Sequence, residues 1–146
     1  MGPLPPGIWQ RSNMGPQLVT GPENLSVLHE LIEREPLFHR SGFGTTRRDF
    51  EKMTAPEFWE GGASGGRYGR DFVLNTLEPR FEHPTGDVWE IGDFHCLEIA
   101  ADNYLVTCTL IQGERITRRA TIWRRTAEGW QIVYHQGTLV AGSSDS

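Results

Sequence analysis

The apolar positions in the first half of the chain recur at helical spacing in three short stretches. This spacing predicts one helix over Leu25–Glu35 and a short second helix that begins after a cap at Thr45 or Thr46. A third helix is predicted over about Arg70–Leu77, because Pro79 is expected to end it. The first half is therefore expected to supply three helices.

Strand-like runs dominate the second half, and short turn sequences separate them. The four runs are Val88–Ile99, Tyr104–Ile111, Arg115–Arg125 and Trp130–Thr138. Short turns between neighbouring runs predict an antiparallel meander. A smaller strand pair is predicted earlier in the chain, at Glu57–Glu60 and Arg67–Tyr68. Helices followed by a meander predict an α+β domain, in which about three helices close the concave face of a curved antiparallel sheet.

The composition fits one globular domain and disfavours several kinds of partner. The chain has 146 residues and a net charge of −5. We expect the domain over residues 24–140, between a Pro- and Gly-rich arm at 1–23 and a disordered tail at 141–146. The acidic balance disfavours nucleic acid as a partner. No apolar run approaches the roughly 20 residues that span a bilayer, so no membrane partner is expected. The N-terminus lacks the pattern of a secretory signal, which predicts a cytoplasmic protein.

Side-chain alternation, counted through the three hairpins, assigns each strand residue to one face of the sheet. The face richer in bulky apolar residues is expected to lie beneath the helices. That face also carries four polar residues, Asp93, His95, Arg119 and Gln136. Buried polar groups need partners or a polar cavity. These four side chains are therefore expected to line one cavity or to form one structural network.

The same count separates His135 and the two cysteines. It places His135 on the outer face, where a dimer interface is its expected role. Cys96 and Cys108 fall on opposite faces, as two reduced and buried thiols. An odd number of β-bulges would invert part of these assignments.

Several of these residues suggest chemistry. Asp93 and His95 can form a general-base pair, because a carboxylate raises the basicity of a nearby imidazole. Tyr134 is a candidate acid or oxyanion donor. Arg119 and Gln136 suit an anionic or carbonyl group of a ligand. Four further residues complete the candidate ligand-binding set: Thr121, Trp123, Trp59 and Tyr68.

Metal and cofactor binding are not expected. The five histidines, His29, His39, His83, His95 and His135, have no metal-type spacing. The glycine-rich stretch 61–69 lacks the Gly-Lys-Ser/Thr ending of a phosphate-binding loop. We interpret it as a connection between strands at the mouth of a pocket.

The end of the chain resembles a known superfamily. The run Arg119–Arg125, followed by Glu128–Thr138 with its His-Gln-Gly-Thr ending, is similar to nuclear transport factor 2-like (NTF2-like) proteins. Within them it resembles the largely uncharacterised SnoaL-like branch, and the resemblance covers about residues 24–140. It implies a cone-shaped α+β fold, a pocket between the helices and the bent sheet, and a homodimer formed through the sheet.

Two functions follow as hypotheses. The first is a small-molecule-binding pocket protein of unknown ligand; if it is an enzyme, an isomerase, cyclase or dehydratase that uses proton transfer is the expected type. The second is a non-catalytic homodimerising or association module with a filled cavity. Its interface is expected to contain Leu105, Ile111, Ile122 and Val133.

Overall fold

A computed structural model describes residues 15–36, 40–82 and 88–142. Most of the predicted arm and tail lies outside these residues, as do His39 and His83. The helices are α1 (Leu25–Ile32), α2 (Arg47–Met53) and α3 (Arg70–Glu82). The strands are β1 (Thr54–Gly61), β2 (Arg67–Gly69), β3 (Glu90–Ala100), β4 (Asn103–Gln112), β5 (Arg115–Thr126) and β6 (Gly129–Leu139). The predicted α+β class is confirmed.

All six strands belong to one sheet, in the order β2-β1-β6-β5-β4-β3. The predicted meander is present, because β3 to β6 pair antiparallel with their neighbours in sequence. The expectation of a wholly antiparallel sheet is wrong, since β1 pairs parallel to β6. Hairpin turns determine only pairs that are adjacent in sequence, and β1 and β6 are not. The sheet is therefore mixed, and β1 extends it beyond the meander.

Local sequence signals account for the helix ends. Thr46 caps α2 through a capping box, in which its hydroxyl accepts from the Asp49 N–H at 3.2 Å and the Asp49 carboxylate accepts from the Thr46 N–H at 3.1 Å. The third helix is longer than predicted and runs through Pro79 to Glu82. Pro79 lies at an exposed position, where one missing backbone donor is tolerated within a helix that is otherwise intact.

The core lies between the three helices and one face of the sheet, which we call the inner face. Each helix contributes buried apolar side chains, such as Leu31 from α1, Phe50 from α2 and Leu74 from α3. The sheet contributes Val106 and Trp123, both fully buried. None of the described helices is long and apolar enough to cross a membrane.

The described sheet has several register irregularities, and two of them are β-bulges that change the faces of candidate site residues. In β3, Gly92 pairs with Thr109 but His95 pairs with Thr107, so β3 contains one extra residue there. Asp93, with φ of 58°, lies in this bulge. In β6, the pairs Ile122–Tyr134 and Trp123–Ile132 leave Val133 as the extra residue. Each bulge reverses the face on which every residue beyond it lies.

The bulges produce a different row of residues on each face. On the inner face one row crosses all six strands: Cys96, Val106, Thr121, His135, Glu60 and Tyr68. On the outer face the row is Leu97, Leu105, Ile122, Tyr134 and Trp59.

Several face assignments made from the sequence are therefore wrong. His95, Tyr134 and Gln136 lie on the outer face, and His135 lies on the inner face. Cys96 lies on the same inner face as Cys108, and both are buried free thiols. Burial raises the pKa of the Cys96 thiol to about 11 and also raises the pKa of Cys108. Both thiols are therefore protonated at neutral pH.

Candidate functional site

A cavity of about 300 Å³ lies between α3 and the inner face of the sheet. The wall formed by α3 is largely apolar and includes Phe72, Val73 and Leu77. The floor formed by β1, β5 and β6 is polar and consists of Glu60, Arg115, Thr117, Arg119 and His135. An apolar wall facing a few polar groups is the usual construction of a small-molecule site.

Gly137 keeps the cavity open beside Arg119. The two residues are cross-strand partners on β6 and β5, so any side chain at Gly137 would occupy the space next to the guanidinium. Among the described residues, a Cβ atom built on Gly137 would have one heavy atom within 4 Å, the Cβ of Ala63 at 3.9 Å. The backbone at Gly137 would accept a side chain. The space beside Arg119 is therefore present because residue 137 has no side chain.

Two polar groups in the cavity floor lack hydrogen-bond partners among the residues that the structure describes. The Nε of Arg119 and the Oγ1 of Thr117 are buried, and neither makes a hydrogen bond within residues 15–36, 40–82 and 88–142. Most buried polar atoms in proteins have a partner, and an unpartnered one costs about 1–3 kcal/mol. Burial lowers the pKa of Arg119, while the nearby Glu35 raises it. Arginine nevertheless keeps its charge in proteins, so the floor presents a cation with an unused donor.

Glu35 lies behind this floor, with its carboxyl group fully buried. The carboxylate accepts a hydrogen bond from Trp123 Nε1 at 2.9 Å, and the Thr121 hydroxyl also donates to it. Burial raises the pKa of Glu35; the charge of Arg119 and these two hydrogen bonds oppose that shift. Arg40 Nε donates to the Glu35 carbonyl oxygen at 2.8 Å, which fixes the backbone at the end of α1.

The Thr121 hydroxyl connects Glu35 to the cavity. Because the single hydroxyl hydrogen of Thr121 is donated to Glu35, its Oγ1 accepts a hydrogen bond from His135 Nδ1–H at 3.1 Å. His135 lines the cavity beside its cross-strand neighbour Glu60. A hydrogen-bonded chain of three side chains therefore leads from a buried carboxyl group to an imidazole at the cavity.

The raised pKa of Glu35 predicts a pH dependence of stability. The folded state binds the Glu35 proton more tightly than the unfolded state, in which the pKa is near 4.5. The stability that this group contributes is therefore complete below that value and is lost as the pH rises through the folded-state pKa. We expect the free energy of unfolding of the wild type, minus that of Glu35→Gln, to fall as the pH rises above 4.5. Urea denaturation at several pH values measures this difference, and a difference that rises with pH would contradict the assignment.

The structure separates the predicted ligand-binding residues into two groups. Arg119 and Tyr68 line the cavity. Thr121 and Trp123 lie on the same inner face and bond to Glu35, so they support the floor. Trp59 lies on the outer face, 44% exposed, with its ring centroid 4.6 Å from that of Tyr134.

The remaining predicted residues also lie on the outer face. Tyr134 donates a hydrogen bond from its hydroxyl to the Gln136 side-chain oxygen. Asp93 accepts from Arg118 at 3.2 Å and from Thr109 at 3.3 Å. His95 lies opposite Thr107 on the same face.

The expected convergence of Asp93, His95, Arg119 and Gln136 on one cavity is therefore wrong. The two bulges place Asp93, His95 and Gln136 on the outer face and leave Arg119 on the inner face.

Five components of the site were not predicted from the sequence: Glu35, Glu60, Thr117, His135 and Gly137. For two of them a signal was present, because His135 and Gly137 alternate within the His-Gln-Gly-Thr ending and so share a face. Glu35 carried no local signal, since its partners come from β5, far along the chain.

The three helices packed on one face of this six-stranded mixed sheet define an NTF2-like or cystatin-like fold, and solved structures bear this out. One is an uncharacterised protein with a cystatin-like fold from Caulobacter vibrioides. It is 16% identical, with 82% of this chain and 92% of that chain covered and a TM-score of 0.62. A second is an NTF2-like protein of unknown function in nutrient uptake from Rhodospirillum rubrum, which is 17% identical, with 75% of this chain and 98% of that chain covered and a TM-score of 0.59.

A third similar structure is a ketosteroid isomerase-like protein from Parabacteroides distasonis. It is 13% identical, with 86% of this chain and 97% of that chain covered and a TM-score of 0.59. No protein-family model and no curated protein matches this chain. At such identities the likeness establishes the fold, and the function has to be argued from the site.

Proposed function

We propose that this chain is a small-molecule-binding protein whose site is the cavity between α3 and the sheet. The observation that carries the proposal is the unpartnered Arg119 Nε in the cavity floor, accompanied by the unpartnered Thr117 Oγ1. Buried polar groups usually have a partner, and a molecule bound in the cavity is a partner that would satisfy both of these groups. The similarity of the chain's ending to SnoaL-like proteins is in keeping with such a role and is part of the proposal.

A change at Gly137 tests whether the cavity binds ligands. Gly137→Val places a branched side chain next to Arg119, in a strand backbone that favours such residues. We expect this variant to lose the binding of small molecules and to be at least as stable as the wild type, because glycine in a strand is unfavourable. Ligand-observed NMR with a small-molecule fragment collection measures binding, and urea denaturation measures stability.

Thr138→Val is the matched control for this experiment. It introduces the same residue at the next position of β6, which is exposed and faces outwards. We expect it to bind the same fragments as the wild type. Fragments that bind Gly137→Val and the wild type equally well would show that the cavity is not their site, and the proposal would fail.

If the ligand is also a substrate, His135 is the group that we propose for proton transfer. The role was expected of His95 with Asp93, but those residues lie on the other side of the sheet. His135 reaches the cavity, and Thr121 and Glu35 hold its Nδ1 side. Arg119 lies in the same floor and is suited to stabilise negative charge on a reacting oxygen. Isomerase, cyclase or dehydratase chemistry would use these two functions together.

A second candidate function is association between copies of this chain, and the outer face favours it. The row Leu97, Leu105, Ile122, Tyr134 and Trp59 crosses five strands of the sheet. Its two ends are open to solvent, with Leu97 47% and Trp59 44% exposed, and Ile99 nearby is 48% exposed. Contiguous apolar surface of this kind is typical of an interface, so we propose a homodimer formed through the sheet.

Sedimentation of two variants tests the dimer. We expect Leu97→Glu to shift the protein to monomer, because it places a charge in the proposed apolar contact. Leu25→Glu is the control, since Leu25 is 41% exposed but lies on α1, on the other side of the sheet. A monomeric wild type, or a Leu97→Glu variant that remains dimeric, would reject this interface.

A further inference from the structure

We propose that the ligand of the cavity is a small carboxylate with a flat apolar body, bound with its carboxylate on Arg119 and Thr117. This inference rests on the proposed function, because it specifies the chemistry of a ligand at the same site. Two observations support it. One is the chemistry of the unpartnered polar groups in the floor, and the other is the shape of the opposite wall.

The two unpartnered groups of the floor both offer hydrogen atoms. Arg119 Nε–H is a donor only, and the Thr117 hydroxyl can donate as well as accept. The two residues are two positions apart on β5 and point to the same face, so a single group can contact both. A carboxylate accepts through both of its oxygens, and it matches the planar fork of a guanidinium.

The charges in the floor favour a monoanion. Arg115 and Arg119 line the cavity together with one carboxylate, Glu60. Glu35 lies close behind Arg119 and interacts with it electrostatically. Among the described residues that line the cavity, two arginines face one carboxylate, which leaves one positive charge (2 − 1); a monoanion balances it, whereas a doubly charged phosphate exceeds it.

The opposite wall is suited to a flat apolar group. The Tyr68 and Phe72 rings stack with their centroids 5.1 Å apart and an interplanar angle of 16°. Val73 and Leu77 are buried side chains of the same wall. The volume of about 300 Å³ lies at the lower end of the range for ligand sites. The cavity therefore suits a ligand with about one ring.

Matched acids and amides test this inference directly. The probes are benzoate, phenylacetate and cinnamate, each compared with its primary amide, which has the same shape but no charge. We expect the best acid to bind the wild type at least about tenfold more tightly than its amide, since charge-assisted hydrogen bonds are the strong ones. Titration calorimetry at one fixed ionic strength, confirmed by ligand-observed NMR, gives the dissociation constants.

Two variants and one control locate the carboxylate. Arg119→Met is expected to abolish the preference for acid over amide. Thr117→Val, which keeps the shape and removes only the hydroxyl, is expected to weaken acid binding by about three- to tenfold. Arg118→Met is the control, because Arg118 is the adjacent arginine and bonds to Asp93 on the outer face. If Arg119→Met does not fold, Thr117→Val still decides the outcome.

The outcomes separate this inference from the function on which it rests. Amides that bind as tightly as acids would overturn the carboxylate assignment, and so would acid binding that is unchanged in Thr117→Val and in Arg119→Met where that variant folds. In both of these cases, if Gly137→Val abolishes binding of the probes, the cavity is still their binding site and the proposed function stands. If no probe and no fragment binds in a way that Gly137→Val abolishes, both proposals are overturned.

Discussion

Replacing Glu35 with alanine is expected to lower the free energy of unfolding by about 3–5 kcal/mol. Three losses combine in this variant. Arg119 loses a nearby negative charge in a buried setting, Trp123 Nε1 loses its acceptor at 2.9 Å, and the Thr121 hydroxyl loses a partner. Urea denaturation at neutral pH, with the slope of the transition compared between variants, measures the effect.

Glu33→Ala is the matched control for this measurement. It removes the same side chain two residues earlier, at an exposed position, and we expect it to change stability by less than about 0.5 kcal/mol. The double variant Glu35→Ala with Arg119→Met is expected to be less destabilised than the sum of the two single variants, because it leaves no uncompensated buried charge. If Glu33→Ala and Glu35→Ala lower the free energy of unfolding equally, the buried carboxyl group of Glu35 does not stabilise the fold.

Trp123→Ala is expected to cost about 3–5 kcal/mol, because its indole is fully buried in the core. Trp123→Phe keeps most of the apolar volume but removes the N–H that donates to Glu35. We expect this second variant to cost about 1–3 kcal/mol, the cost of leaving a buried acceptor without that partner. Both values come from the same denaturation experiment.

Trp59 provides the comparison for Trp123. It is 44% exposed, and its ring contacts Tyr134 on the outer face. We expect Trp59→Ala to cost about 1 kcal/mol or less, the scale of a single aromatic contact. A Trp59→Ala loss as large as that of Trp123→Ala would mean that the outer face contributes to stability as much as the core does.

The helices and strands could be predicted because each has a local cause. The capping box at Thr46 and Asp49 uses residues three positions apart, and the hairpins of the meander use short turn sequences. The parallel pairing of β1 with β6 has no such local cause. It joins two segments that lie far apart in the chain, and a local pattern of apolar positions does not encode such a pairing.

The faces of the strands could be predicted only as far as the bulges. A bulge adds one residue and leaves the strand apolar and extended, so the pattern around Ile132 and Val133 is compatible with either alignment. The bulge in β3 has a weak signal in the sequence, because aspartate, the residue at position 93, tolerates a positive φ better than most residues. Arg119 lies between the two bulges along the chain, in the part of the sheet where the faces of the residues were predicted correctly. It was therefore the polar residue of the predicted set that the structure places in the cavity floor.

The parallel pair of β1 and β6 also has a consequence for the order of folding. The strands of the meander pair with neighbours in sequence, so their formation closes short loops. β1 can pair only after β6 has formed, at the far end of the chain, and such non-local contacts form slowly. Glu60 and His135 meet only when this last pair forms. The cavity is therefore expected to be completed late in folding, after the meander that supplies most of its floor.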